Sequence, residues 1–489
     1  MENWLIKQAE LAPYRPALVY EGRTWNFRQL KTKVHKIAGK LTHFIGKSVK
    51  RAGIIADNTP ASYFMILAFQ QLGVQPVLLN CRLAFSELER QREDAEVLVV
   101  FVDDLLKKRF EQRVKSNTHY YFISELDSIT SDSPVIIQSF EDDKIASIMY
   151  TSGTTGHPHG VLQTFRNHFF SAVGSVFNLG LQIDDQWLCA VPIFHISGLS
   201  IMMRSLIYGT GVILVPHFDP VKITKLLAFK HVSLMSVVPI MLKQLLELYP
   251  TEGYNESFRT FLLGGAPIDA ATLGSCQKKG ISVIQSYGMT ETCSQVVALN
   301  FADAPSKIGS VGKPLFPVQL RINTGKIGEI EVKAPNLVKG YLNDQAGFND
   351  KLTQDGWFRT GDIGNFDKEG FLFIKGRKDE MFISGGENVF PNEVENVYAK
   401  VAGIKEIAVI GIPDKRWGQV PYAFVELQDH SKLDAASLKL YGREKLAHYK
   451  VPQAFITVDK LPRTANGKLK HSAVREQFSK VIAKLNKEN

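Results

Sequence analysis

At 489 residues the chain is too long for one ordinary core, so two or three domains are expected. With 45% hydrophobic and 22% charged residues it reads as a globular protein; no apolar run nears the length of a membrane span and no signal-peptide pattern opens it, which makes the cytoplasm the expected location and membrane insertion unexpected. The net charge of +9 would suit nucleic acid only if it were clustered, but Lys and Arg are dispersed and thicken only between Lys468 and Lys487, where a solvated helix accounts for them; small polyanions are the better match.

The first 125 residues alternate helix and strand patterns. Asn26 with Gln29 forms a capping-box-like start to a helix from Phe27 to about Phe44, and a strand follows at Arg51 to Ala56. Thr59-Pro60 opens a helix from Ala61 to Leu72, Pro60 being suited to the first helical position. A strand at Val77 to Leu79, a helix at Phe85 to Asp94 and a strand at Val97 to Val102 continue the alternation, which predicts a parallel sheet with helices on its faces. A Ser- and Asp-rich connection spans Asp127 to Lys144, and a second α/β unit is expected from Ile148 to about Asn300, with apolar runs at Val212 to Val215 and Phe261 to Leu263 and a helix at Ile240 to Tyr249. Short alternating stretches from Val311 to Ile374 predict a β-rich unit. The last 110 residues read as a small α/β domain with a helix at Asn392 to Lys400, strands at Glu406 to Ile412 and Tyr422 to Leu427, and a helix at Ala435 to His448. Cys81, Cys189, Cys276 and Cys293 lie far apart with no C-x-x-C pair, so neither zinc nor a disulfide framework is expected.

One stretch carries chemistry on its face. From Ile148 to Gly160 an apolar strand runs into Thr151-Ser152-Gly153-Thr154-Thr155-Gly156-His157-Pro158-His159-Gly160, and a helix is expected to leave it. Glycines at 153, 156 and 160 allow close backbone approach, and hydroxyls add donors to exposed N–H groups, which suits phosphate. No Lys-Ser/Thr follows the last glycine, and the spacing is not the dinucleotide fingerprint.

Five further strings follow in order: Pro192 to Gly198 (PIFHISG), Ser286 to Glu291 (SYGMTE), Trp357 to Asp362 (WFRTGD), Gly376 to Asp379 (GRKD) and Asn466 to Lys468 (NGK). With the glycine-rich stretch they resemble the signature set of the adenylate-forming superfamily, which includes the acyl- and aryl-CoA synthetases. The resemblance implies a large N-terminal domain, residues 1–378, built of α/β subdomains and a β-rich unit, and a small mobile C-terminal α/β domain, residues 379–489, that carries the catalytic lysine.

It also implies a two-step reaction with ATP, Mg²⁺ and coenzyme A: a carboxylate attacks the α-phosphate and releases pyrophosphate, then a thiol attacks the acyl-adenylate and releases AMP. Lys468 matches the catalytic lysine, and a cation there would neutralise charge building on the α-phosphate. Glu291 matches the magnesium-side carboxylate; one is enough, since Mg²⁺ takes its other oxygens from phosphate and water. Thr290 would donate to the α-phosphate. The nucleotide would be held by Thr151, Ser152, Gly153, Thr154, Thr155 and Gly156 at the phosphates, by Gly264, Gly265, Ala266, Ser286, Tyr287, Gly288 and Met289 around the adenine, and by Asp362 with Arg377 at the ribose. Asp379 matches the hinge about which the small domain swings, one orientation bringing Lys468 to the site and the other Gly385, Gly386 and Glu387 with a pantetheine path.

Where lysines are usual in the family's phosphate loop this chain has His157-Pro158-His159, so weaker or more pH-dependent ATP affinity is expected. Gln163 to His168 (QTFRNH), Pro192 to Ser200 and Met289 to Gln295 (MTETCSQ) resemble most the branch that activates o-succinylbenzoate in menaquinone biosynthesis. Such a diacid calls for an apolar wall, for which Phe194, Leu199 and Gly264 to Ala266 are candidates, and for polar groups, for which His195 and Ser197 are candidates; no residue stands out in the sequence for its second carboxylate. His195 is also a candidate catalytic group. Other aryl or medium-chain acids, a free-standing carrier-protein partner and a nucleotide sensor without turnover remain as rivals, and homo-oligomerisation is left open. Neither nucleic acid nor a membrane is expected as a partner.

Overall fold

The computed structural model describes the whole chain except residues 47–48, 117–118, 153–157, 324, 385–386, 415, 430, 464–468, 480 and 483–489, and the side chain of Ser152. Two largely parallel sheets make up most of it. The first orders its six strands Tyr120–Phe122, Val100–Val102, Arg51–Ala56, Gln75–Asn80, Ile145–Ser152 and Pro158–Thr164, with only the last pair antiparallel. The second orders nine: Lys313–Pro314, Ser294–Ala298, Val283–Met289, Thr260–Leu263, Leu234–Val237, Gln186–Cys189, Gly211–Leu214, Pro16–Tyr20 and Arg23–Asn26, parallel in the middle and antiparallel at both edges. Thr260–Leu263 is buried along its whole length and Arg51–Ala56 along all but its first residue, because helices cover both faces of a parallel sheet.

The local signals predicted the helices well. Asn26 and Gln29 close a reciprocal capping box on the helix Phe27–Leu41, Oδ1 of Asn26 accepting from the Gln29 N–H at 2.8 Å and Oε1 of Gln29 from the Asn26 N–H at 3.0 Å. Thr59 caps Pro60–Gln71 with Pro60 at the first position, and Phe85–Asp94 has the expected bounds.

Two expectations are corrected. A strand, not a helix, follows the glycine-rich loop: Ile145–Ser152 turns back antiparallel along Pro158–Thr164, with Thr151 opposite His159. Val161 and Gln163 of that return strand are buried on the hairpin, and the helix begins only at Phe165, where Thr164 and Asn167 supply its capping pair. The α/β units also exchange strands. Ile145–Ser152, expected in the second unit, pairs with Gln75–Asn80 of the first sheet, whereas the hairpin Pro16–Asn26 closes the edge of the second. Strand pairing across such sequence separations leaves no local trace.

The β-rich expectation appears as a four-stranded antiparallel sheet, Gln319–Ile322, Gly328–Lys333, Phe358–Phe366 and Leu372–Arg377. Beyond it, Glu387–Val389, Phe382–Ser384, Gly418–Leu427 and Ile404–Asp414 form a sheet in that order, Ala454–Thr457 also pairing with Gly418–Leu427, and the helices Pro391–Tyr398, Ala435–Lys445 and His471–Gln477 accompany it. The last of these is less solvated than its charge suggested, since His471 and Val474 are buried. Among the described residues, no apolar cluster draws members from both sides of Asp379. No described helix is long and apolar enough to cross a membrane.

Candidate active site

The strand Val283–Met289 delivers Ser286, Tyr287 and Gly288 to the end of the nine-stranded sheet, beside Gly264 at the end of Thr260–Leu263. Ser286 Oγ donates to the Leu263 carbonyl at 3.0 Å and a Cβ on Gly264 would meet that Oγ at 3.3 Å, so the two strand ends are closely seated. Gly265, with φ +89°, and Ala266 are exposed, leaving an open backbone edge. Tyr287 Oη donates to Asp362 Oδ2 at 2.7 Å; burial, with the Asp362 charge added, raises the phenol and keeps it a donor. Asp362 Oδ1 accepts from Arg377 Nη1 at 3.3 Å, and Arg377 Nε donates to Asp379 Oδ1 at 3.1 Å. One guanidinium therefore ties the expected ribose carboxylate to the expected hinge.

The turn Thr290–Thr292 sits where the strand Ser294–Ala298 begins, and its backbone is forced. Cys293 and Ser294 take φ of 50° and 104°, values unusual for side-chain-bearing residues, and a Cβ on Gly288 would fall 2.1 Å from the Ser294 carbonyl oxygen. A buried hydrogen-bond chain holds the turn at both ends. Gln163 Nε2 donates to the Thr290 carbonyl at 3.2 Å and Ser147 Oγ donates to Gln163 Oε1 at 2.6 Å, so Ser147 can only accept from His168 Nε2 at 2.9 Å. His168 thus carries its proton on Nε2, and its bare Nδ1 accepts from the Cys293 thiol at 3.3 Å. Burial, helped by the Arg204 charge, pushes the imidazole down to about 3 and keeps it neutral.

Glu291, in the same turn, is buried, with Oε1 accepting from Tyr341 Oη at 2.8 Å. Its Oε2 makes no hydrogen bond to any described residue. Among the described residues no cluster of three or more metal-ligating side chains exists, so a divalent ion here would rest on this one carboxylate and on oxygens brought by its ligand, a donor set that fits Mg²⁺. Tyr341 reaches Glu291 because its segment docks on the return strand Pro158–Thr164: the Leu342 N–H donates to the Gly160 carbonyl at 2.7 Å, and a Cβ on Gly160 would touch Leu342 at 3.0 Å. His159 is turned toward the same segment, its Nδ1 3.1 Å from Asp344 Oδ2 and its ring stacked on Tyr341 at 4.7 Å. That pair occupies Nδ1, so a grip on pyrophosphate by His159 would fall to Nε2.

His195 stands half-buried at the N-cap of the helix Ile196–Tyr208, its ring 4.6 Å from Phe194, and Ser197 is exposed in the first turn. Phe194 and Leu199 are buried in the large core. Thr151 is half-buried at the strand end, Met289 N–H donates to Thr292 Oγ1 at 2.9 Å, and Glu387 is exposed. Gly153, Thr154, Thr155, Gly156, His157, Gly385, Gly386 and Lys468 lie outside the described residues.

The sequence reading missed Arg204. Two turns into that helix, its guanidinium is 2% exposed, donates from Nη2 to Ser294 Oγ at 3.2 Å and Gln295 Oε1 at 3.0 Å, and lies 5.3 Å from the centre of the Trp187 ring. Its Nε has no hydrogen-bond partner, and no described carboxylate lies within ion-pairing distance. A buried cation held by neutral groups alone is costly, and burial lowers its proton affinity. Nothing in the sequence singled it out: it lies on the opposite side of the helix from its N-cap His195, and its lack of an acidic neighbour could not be read from sequence.

The fold and this site define a nucleotide-binding enzyme of the adenylate-forming class. Residues 5–342 match the AMP-binding enzyme family and residues 393–468 match the AMP-binding enzyme C-terminal domain. The chain is 45% identical to the 2-succinylbenzoate–CoA ligase of Listeria monocytogenes over 98% of its own length and 100% of that protein. The o-succinylbenzoate CoA synthetase (MenE) of Bacillus subtilis, in complex with the acyl-adenylate intermediate OSB-AMP, is 40% identical and aligns with a TM-score of 0.91 over 97% of this chain and 98% of that one. A double mutant of the same synthetase, bound with its product analogue OSB-NCoA, aligns over the same shares at 0.74. The chain belongs to the AMP-binding enzyme family, in the group of the 2-succinylbenzoate–CoA ligases.

Proposed function

We propose that the chain ligates o-succinylbenzoate to coenzyme A at the expense of ATP, in menaquinone biosynthesis. The observation that carries this reading is the full-length likeness to ligases of that acid, in a structure that aligns at 0.91 with a relative holding the acyl-adenylate. In the first step the aliphatic carboxylate oxygen attacks the α-phosphorus and the bond to pyrophosphate breaks; in the second the CoA sulfur attacks the acyl carbon and AMP leaves. Each step gathers negative charge, so the residues' task is to hold anions together and neutralise them.

Tyr287, Gly264 and Ala266 would flank the base, and Asp362 would accept from the ribose hydroxyls with Arg377 behind it. The glycine-rich loop would cradle the phosphates, Thr290 would donate to the α-phosphate, and Glu291 would face Mg²⁺. Bound with the triphosphate, Mg²⁺ would offset charge on the departing pyrophosphate. Lys468 would neutralise the pentavalent α-phosphate. Arg204 is our candidate for the second, aromatic carboxylate: it supplies a cation without a counter-ion on the helix that starts at His195 and Ser197.

We divide the chain at residues 378 and 379, with Asp379 the hinge. The separation of apolar clusters on either side supports this. So does the fall in alignment from 0.91 to 0.74 between two bound forms of one relative at equal coverage, which suits a change of domain arrangement between the steps. The arrangement described for this chain is nearer the adenylate-bound form.

The test is a coupled assay for CoA-dependent AMP formation with ATP, Mg²⁺ and o-succinylbenzoate, beside benzoate, octanoate and no acid. Turnover with o-succinylbenzoate alone is expected. Turnover with another acid would keep the chemistry and discard the substrate, and nucleotide binding without turnover on any acid would discard both.

A further inference from the structure

Tyr341 is 2% exposed, yet its one polar atom is fully committed. Lys351 Nζ donates to Tyr341 Oη at 2.9 Å, and an ammonium cannot accept. The phenol proton is therefore directed to Glu291 Oε1 at 2.8 Å, giving a one-way relay from Lys351 through Tyr341 to Glu291. The ring itself is braced on several sides. His159 stacks on it at 4.7 Å and 21°, Phe348 meets it edge-on at 5.3 Å, and the Lys351 ammonium lies 5.2 Å from its centroid. Asp344 in turn fixes His159 and caps the short helix Gln345–Asn349 through its contact with the Gly347 N–H. A side chain clamped so thoroughly, with its hydroxyl on the carboxylate of the Thr290–Thr292 turn, has the form of a device for aiming that carboxylate.

We infer that Tyr341, polarised by Lys351 and braced by His159, is the positioning residue of Glu291, pinning Oε1 so that Oε2 is presented in one direction to the magnesium that accompanies ATP. The inference rests on the reading of Glu291 as the magnesium-facing carboxylate. Mg²⁺ demands near-octahedral geometry, and a carboxylate free to rotate samples orientations that do not satisfy it; outer hydrogen bonds of this kind are typically worth 10- to 100-fold in metal affinity. This gives His159 a purpose in its contacts with Tyr341 and Asp344. It also explains why a tyrosine is needed where a phenylalanine would fill the same apolar space.

The experiment measures ATP binding by calorimetry at a series of free Mg²⁺ concentrations, with no acid present, so that the readout is binding rather than turnover. Wild type, Tyr341→Phe, Lys351→Met, Glu291→Gln and the double variant Tyr341→Phe/Glu291→Gln are compared. Tyr341→Phe is expected to raise the half-saturating Mg²⁺ concentration roughly 10-fold, with ATP affinity at saturating Mg²⁺ little changed. Lys351→Met, which keeps the phenol, is expected to shift it less and in the same direction, and serves where Tyr341→Phe folds poorly. In the double variant the tyrosine change should add nothing to Glu291→Gln. An unmoved midpoint in Tyr341→Phe and Lys351→Met beside a shifted one in Glu291→Gln would overturn the inference alone, as would full additivity in the double variant. An unmoved midpoint in Glu291→Gln would overturn the reading of Glu291, and the inference with it.

Discussion

His471 Nε2 lies 2.6 Å from Glu395 Oε1, joining the last described helix to the helix Pro391–Tyr398. Nδ1 of the same ring is 3.3 Å from Glu380 Oε1, the residue after the proposed hinge, and Glu395 Oε1 also accepts from the Val409 N–H at 2.7 Å. Burial by itself would lower the imidazole, but the Glu395 and Glu380 charges outweigh it and raise it to about 10. His471 is thus a standing cation that fastens the segment just after Lys468 to both the small domain and its hinge.

A raised folded-state pKa sets the sign of the pH dependence. The stabilisation is fully present below the unfolded value near ~6.5 and is lost as pH rises through about 10. His471→Gln is expected to destabilise the full chain at pH 7 by roughly 3 kcal/mol, as breaking a buried ion pair does. Denaturant titrations between pH 6 and 10 should show wild-type stability converging on that of the variant with rising pH. Parallel curves would mean that the two glutamates do not hold a charged ring.

His168 presents the opposite sign. Its folded-state value of about 3 means that the unfolded chain binds the extra proton first, so stability is lost as pH falls below about 6.5. His168→Gln, whose amide can still donate to Ser147, is expected to lose about 1 kcal/mol at pH 7 with the Cys293 contact but to show a shallower decline between pH 6.5 and 4. An equally steep decline in the variant would assign acid sensitivity to other groups.

How far these sites could be read in advance follows from the range of the interactions. Capping pairs such as Asn26 with Gln29 and the first-turn Pro60 act within four residues, and the elements they start were legible. Glu291, Tyr287, Asp362 and Arg377 stand in short motifs that the sequence displays, and the structure brings Tyr287 to Asp362 and Asp362 to Arg377. The hairpin after the glycine-rich loop was misread because glycine-rich phosphate loops commonly precede helices, and only its pairing along Ile145–Ser152 decides otherwise. Tyr341 and Arg204 were invisible for another reason. Their partners stand 50 and about 90 residues away, and what marks them is a buried polar atom's set of neighbours, which no spacing encodes.

Lys468→Ala separates binding from chemistry. If the lysine acts on the developing charge of the α-phosphate, the variant should bind ATP with near-normal affinity and form acyl-adenylate 10²- to 10³-fold more slowly, the worth of one such donor. Single-turnover adenylation, followed beside thioester formation from synthetic acyl-adenylate, is the measurement. Equal losses in both half-reactions would deny the lysine a role specific to the first.

Arg204 offers a test in which stability and function should move in opposite directions. A buried guanidinium without a counter-ion weakens the free protein, so Arg204→Met, which keeps the apolar stem volume, is expected to leave the melting temperature unchanged or raise it. If the aromatic carboxylate of the substrate is the missing counter-ion, the same variant should raise KM for o-succinylbenzoate by about 30-fold or more, corresponding to the 2 kcal/mol or more carried by a buried charge pair, while KM for ATP stays put. The ester of that carboxylate supplies the control: the wild type should use it poorly, and Arg204→Met should handle acid and ester alike. Ser294 and Gln295, which now hold the guanidinium, are neutral and can keep their contacts when an anion arrives. A variant that melts lower and loses affinity for ATP and acid together would make Arg204 a strut of the core, and the second carboxylate would need another anchor.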